Sequence, residues 1–159
     1  MVDLVDIPDV ASLGDCLGQE IAVSDWVDVT QQRIDRFADS TEDRQWIHSD
    51  PGRAAAESPF KTTIAHGFLT LSLVSVLSKR ALSFGNVRMA INYGLNRVRF
   101  VSPVPAGARI RGRFTPMAVE DIDGSVQVTW AVTIEHEQSA RPCMVAEWIV
   151  RYYRTSDRS

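Results

Sequence analysis

The segment Asp43-Arg-Gln-Trp-Ile-His48-Ser-Asp-Pro51, followed by Thr63-Ile-Ala-His66-Gly67, places a carboxylate, two of the chain's three histidines and a glycine within 25 positions. A carboxylate and an imidazole converging on one water form a general acid/base pair, each able to take or give a proton. Asp43 and His48 are five positions apart, which on an α-helix turns their side chains about 140° from each other. They can meet only if the chain between them is irregular. Arg44-Gln45 carries no periodic pattern and Pro51 follows soon after, which agrees with that requirement. Trp46 and Ile47 predict that the loop folds against the body of the protein and brings both groups to a desolvated surface. Spacing alone does not separate this from two solvated loop residues.

His66-Gly67 stands where a long apolar segment begins. The first N–H groups of a helix have no intrahelical partner and carry the positive end of its dipole. A glycine there lets a substrate oxygen approach the backbone closely, the form of an oxyanion hole for a carbonyl that becomes enolate-like. The plainer alternative is that Gly67 only permits the turn into the helix.

The elements that must position these groups follow from the pattern. Residues 21 to 29 alternate enough for a short strand, and Thr30 can cap a helix to about Ala38 with Ile34, Phe37 and Ala38 on its apolar side. Asp50-Pro51 reads as cap and first position of a short helix to Glu57. A second helix starts near His66-Gly67 and runs to Leu82. Its leucines and valines lie all round it, predicting burial on nearly every side. Ala90 to Tyr93, Asn96 to Val101, Ala108 to Val119, Val126 to His136 and Met144 to Arg154 read as strands, with a hairpin at Asp123-Gly124. The expected fold class is α+β, a curved antiparallel sheet around a long apolar helix, with residues 1–159 as one domain. Sheet edges in such a fold predict a homodimer.

Composition excludes several classes. At 45% hydrophobic and 23% charged the chain is ordinary globular protein, and a net charge of −3 argues against a nucleic-acid partner. The acidic N-terminus lacks the features of a secretory signal. Phe68 to Leu77 is too short and too polar to span a bilayer. Cys16 and Cys143 match no metal or redox spacing. The expectation is a cytoplasmic protein with reduced thiols, no membrane partner, no metal and no separate cofactor.

The combined motif resembles the MaoC-like, (R)-specific enoyl-CoA hydratase family with the hot-dog fold. There an acidic residue, a spacer, an apolar residue and a histidine precede a segment like DPxxAxxxxFxxxIxHG, which leads into the central helix. The corresponding residues are Asp43-Arg-Gln-Trp-Ile-His48, Asp50-Pro-Gly-Arg-Ala-Ala, Pro59-Phe60 and Ile64-Ala-His66-Gly67-Phe-Leu-Thr-Leu. The Gln-Trp-Ile-His variant resembles the branch named for nodulation protein N, and Asn92 to Pro105 resembles the family's third-strand segment. The resemblance spans residues 20 to 154. It implies reversible syn addition of water to a trans-2-enoyl-CoA, giving the (R)-3-hydroxyacyl-CoA, with coenzyme A as part of the substrate. Asp43 and His48 match the catalytic pair, Gly67 the glycine whose amide polarises the thioester carbonyl, and Ser75 a serine that supports the site in some members. Which of Asp43 and His48 is base and which acid stays open. One departure is Glu42, where the family usually has glycine before the aspartate.

Other candidates carry weaker chemistry. Arg109, Arg111 and Arg113, and Arg97 and Arg99, alternate on strands and read as solvated faces more readily than as coenzyme A phosphate contacts. His136 reads as a surface residue and His66 as a support for the loop. A hot-dog thioesterase is a rival reading, but such enzymes place a carboxylate on the central helix and residues 67 to 84 contain none. A non-catalytic acyl-CoA-binding subunit of a heteromeric dehydratase is another. Such a subunit would be expected to lose the Asp/His pair, which this chain keeps.

Overall fold

The computed structural model describes residues 3–155. Its main sheet is built from β5 (Val87–Phe100), β6 (Arg109–Ile122), β7 (Ser125–His136) and β8 (Met144–Arg154), all antiparallel, in the order β6-β7-β8-β5. Two short strands, β2 (Ala22–Val23) and β3 (Val27–Asp28), pair with β6 along its outer side. The expected single strand over 21 to 29 is therefore broken. Ser24 interrupts it by accepting from the Gly112 N–H through its hydroxyl while its own N–H donates to the Gly112 carbonyl.

The alternation read from sequence sets which face of the sheet is buried. Val126, Val128, Trp130, Val132 and Ile134 on β7 and Met144, Ala146, Trp148, Val150 and Tyr152 on β8 are all buried. Opposite them, Arg109 pairs with Glu137, Arg111 with Glu135, and Arg113 with Glu20 and Glu135. This is the ion-paired outer face that strand periodicity predicts. Asp123 and Gly124 take positive φ of 35° and 79°, and their two-residue turn fixes the β6–β7 register. His136 departs from expectation. It lies at the end of β7 with its Cβ on the inner face, opposite Ile110, and is buried rather than exposed.

The central helix lies against that inner face as α4 (Gly67–Ser72) and α5 (Val74–Lys79), joined through Leu73 by continuing backbone bonds from Leu73 to Leu69 and from Leu77 to Leu73. Leu69, Val74 and Leu77 join the core. The helix is not buried all round. Phe68 is 68% exposed, because the sheet of one chain covers one side only. It also stops before Leu82. Leu82 opens β4 (Leu82–Phe84), which pairs in parallel with β1 (Val5–Ile7), and a 3-10 helix over Val10–Cys16 follows β1. The remaining helices are α1 (Gln31–Thr41), α2 (Trp46–Ser49) and α3 (Pro51–Glu57). Thr30 caps α1 by accepting from the Arg33 N–H, and Asp50 caps α3 by accepting from Arg53.

Candidate active site

The site loop is the stretch between α1 and α4, and ordinary helix-ending chemistry starts it. Glu42 closes α1 in the left-handed region, φ 61°. That is the conformation a glycine adopts freely and a glutamate adopts at a cost of about 1–2 kcal/mol. The turn throws Asp43 to Gln45 out of the helical path before α2 begins a new helical turn at Trp46. The irregular link needed between Asp43 and His48 is thus three residues long and is followed by a helical turn that sequence reading left unassigned. Trp46 and Ile47 are half-buried. Arg53 lies 4.5 Å over the Trp46 ring, and the Ile47 carbonyl accepts from the Ile64 N–H.

His48 is buried, and its Nδ1–H donates to the Ile64 carbonyl at 2.7 Å. A carbonyl can only accept, so this bond fixes the tautomer and leaves Nε2 as a lone pair. Burial is the main force on its titration and holds its pKa below the usual histidine value, partly opposed by the bond to Ile64. His48 is neutral at pH 7. The His66 ring stacks on it, centroids 3.8 Å apart. His66 Nε2–H donates to the Asp43 carbonyl at 2.9 Å, so it holds the loop by the backbone of the very residue that bears the carboxylate. One carboxylate oxygen of Asp43 and one nitrogen from each of His48 and His66 lie within 4.8 Å of one another. Three such donors are a conceivable metal set. However, His48 Nδ1 and His66 Nε2 are committed to carbonyls, and two stacked rings direct their in-plane lone pairs side by side rather than at one point. The arrangement suits proton transfer better than coordination.

Gly67 opens α4, so its N–H has no intrahelical acceptor. A cavity of about 250 Å³ is lined by His48, Gly67 and Thr70 with Phe100, Val101 and Val104. It therefore brings the His48 ring and the helix start to one space, with the exposed Asp43 beside the histidine pair. A side chain at position 67 would meet the Phe100 ring at 2.9 Å, so the absence of Cβ is needed for packing. Ser75 does not line this cavity. It lies two turns along the helix, hydrogen-bonded to Asn92.

Two further residues hold the site and escaped sequence reading. Gln31 donates to the His48 carbonyl at 2.7 Å and accepts from the Thr63 hydroxyl, tying α1 to both halves of the loop. Phe100 covers Gly67. The position of Gln31 right after the Thr30 cap was visible, but nothing local shows what a glutamine in a first turn will reach.

A carboxylate beside a tautomer-locked imidazole, and a helix start on the same cavity, are the parts the motif promised, and comparison with known proteins decides their lineage. Residues 13–138 match the MaoC like domain. This chain belongs to the MaoC-like family. It is 52% identical over 144 residues to 3-hydroxyacyl-thioester dehydratase Z of Mycobacterium tuberculosis, covering 90% of this chain and 95% of that protein. It is 45% identical over 157 residues to nodulation protein N of Rhizobium meliloti, covering 97% and 96%. Among solved structures it resembles the R-hydratase PhaJ1 from Pseudomonas aeruginosa, with a TM-score of 0.69 at 22% identity, over 87% of this chain and 83% of that one. That likeness shows the hot-dog fold, here the sheet β6-β7-β8-β5 curved around α4 and α5. Dehydratase relatives of this closeness make the MaoC-like chain a hydro-lyase in kind, and among its described residues no helix is long and apolar enough to cross a membrane.

Proposed function

We propose that this MaoC-like chain catalyses the reversible addition of water to trans-2-enoyl-CoA, giving the (R)-3-hydroxyacyl-CoA. The observation that carries the reading is His48, whose Nδ1–H is anchored on Ile64, whose Nε2 has no hydrogen-bond partner among the described residues, and whose ring lines the cavity that Gly67 also lines. In this mechanism the Asp43 carboxylate and His48 Nε2 hold a water between them. As its oxygen bonds to C3, one water proton passes to His48 and the C2–C3 π electrons shift onto the thioester oxygen. The Gly67 N–H at the helix start stabilises that charge. The protonated His48 then gives its proton to C2, and the thioester carbonyl re-forms. Because one side chain pair serves both carbons from one face, addition is syn.

Burial keeps His48 unprotonated where a base is needed. The half-buried and exposed apolar residues of β5 support the further reading of a homodimer. Met89, Ile91 and Tyr93 are exposed along a 14-residue edge strand whose outer side pairs with no strand among the described residues. A cytoplasmic location with no separate cofactor completes the proposal.

The test follows the loss of enoyl-thioester absorbance with crotonyl-CoA and a longer-chain analogue, for wild type, Asp43→Asn and His48→Gln. Hydration by wild type and its collapse in both variants is the expected result. Release of free thiol without hydration would instead establish the thioesterase reading.

A further inference from the structure

Three cavities follow one another along the groove between the central helix and β5. The first, about 250 Å³, lies at His48 and Gly67 and reaches Phe100. The second, about 260 Å³, is lined by Leu71, Val74 and Ser75 of the helix and by Leu95 of β5. The third, also about 260 Å³, continues past Ser78 and Lys79 to Val87 and Ala90. The helix advances while β5 runs backwards, so the three succeed one another with distance from the acid/base pair, although the first shares no lining residue with the other two. Ser75, Asn92 and Trp148 line both the second and the third cavity.

That shared wall is polar in an otherwise largely apolar path. Trp148 is buried, and its indole N–H donates to Asn92 Oδ1 at 3.2 Å, which fixes the orientation of the amide. Asn92 Nδ2 then donates to Ser75 Oγ at 3.3 Å. Each of the two oxygens accepts one bond and keeps a second lone pair, and the donors left without a partner among the described residues are one Asn92 N–H and the Ser75 O–H. Thr70 and Ser72 on the same helix return their hydroxyls to the carbonyls of His66 and Phe68. Ser75 makes no such bond among the described residues. Two donors therefore stand together at the cavity wall, and they suit an acceptor rather than a methylene.

We propose that the Ser75–Asn92 pair recognises a hydrogen-bond-accepting oxygen on the acyl chain, so that the preferred substrates are oxygenated acyl thioesters rather than plain alkyl ones. This deepens the hydratase reading and rests on its placement of the thioester at Gly67. From Gly67 to Ser75 the helix rises about 12 Å, which puts the recognised oxygen towards the far end of a chain of medium length.

The test is calorimetric binding of two saturated ligands, decanoyl-CoA and a chain-matched decanoyl-CoA hydroxylated at the penultimate carbon, to the full chain. Neither can be hydrated, so binding is read apart from catalysis. Wild type is expected to bind the hydroxylated ligand about tenfold more tightly, the size of one net hydrogen bond. Ser75→Ala and Asn92→Leu should each bring that ratio to within about twofold, with circular dichroism checking that both stay folded. Ser75→Ala is the milder change and keeps the test decisive if Asn92→Leu disturbs Trp148. Equal affinities in wild type, a ratio that survives in both variants, or no binding of either ligand would overturn the proposal. A preserved preference together with no hydration of enoyl-CoA would remove the hydratase reading and leave this inference standing.

Discussion

The β7–β8 pair and the site loop from Thr41 to Gly67 are held by opposite means. In β7–β8 each residue from Ser125 to Ile134 opposes one from Tyr153 to Met144 through a regular ladder, and every second side chain enters the core. In the loop, position is set one bond at a time: Gln31 on the His48 carbonyl, His66 on the Asp43 carbonyl, His48 on the Ile64 carbonyl. A regular ladder tolerates local change because its neighbours share the load. A chain of single side-chain-to-backbone bonds does not, but it can put a carboxylate and an imidazole where no repeating element could. The difference teaches that in this molecule stability and chemistry are written in separate stretches, and substitutions should separate them.

The sharpest way to break that contrast is at His48. His48→Gln should lower kcat/KM for enoyl-CoA hydration by about 10²–10⁴-fold while thermal unfolding shifts by only a few degrees. Large destabilisation with residual activity would put His48 on the stability side. Trp130→Ala is the complementary change in β7. Removing the largest fully buried side chain should cost about 3–5 kcal/mol in denaturant unfolding, with the surviving folded fraction retaining its catalytic rate.

Gln31→Ala tests whether the two regimes meet. It leaves the His48 carbonyl and the buried Thr63 hydroxyl without that partner, and about 1–3 kcal/mol of stability should be lost together with activity. The pH dependence comes next in size. His48 and His136 both titrate below the usual histidine value, mainly because burial disfavours their charged forms. Below about pH 6.5 the unfolded chain takes up protons before the folded one does. Stability should therefore be flat above that pH and fall as the pH drops through and below it, and His48→Gln should remove part of the slope in pH-dependent denaturant titrations. The smallest effect is expected from Glu42→Gly, which relieves the left-handed strain at φ 61°. A gain of up to about 1 kcal/mol is expected, less whatever glycine's greater freedom in the unfolded chain subtracts.

Legibility in sequence followed the same division. The β7 and β8 faces, the Thr30 and Asp50 caps and the Asp123-Gly124 turn were readable because each depends on residues two to four positions away. The broken strand at Ser24, the parallel pair β1–β4 that ends the helix before Leu82, and the buried His136 were not, since each is decided by a partner distant in the chain. In the site, residue types and the family motif pointed to Asp43, His48 and Gly67. The pairing of His66 with the Asp43 backbone, the role of Gln31 and the ring of Phe100 needed three-dimensional neighbours.

Gly67 and Phe100 meet so closely that neither position is independent of the other. A methyl at 67 has room only if the ring at 100 shrinks or moves. Across related sequences, departures from glycine at the helix start should therefore coincide with a smaller residue at the end of β5, and a drifting lineage would cross that step in a fixed order, the ring first.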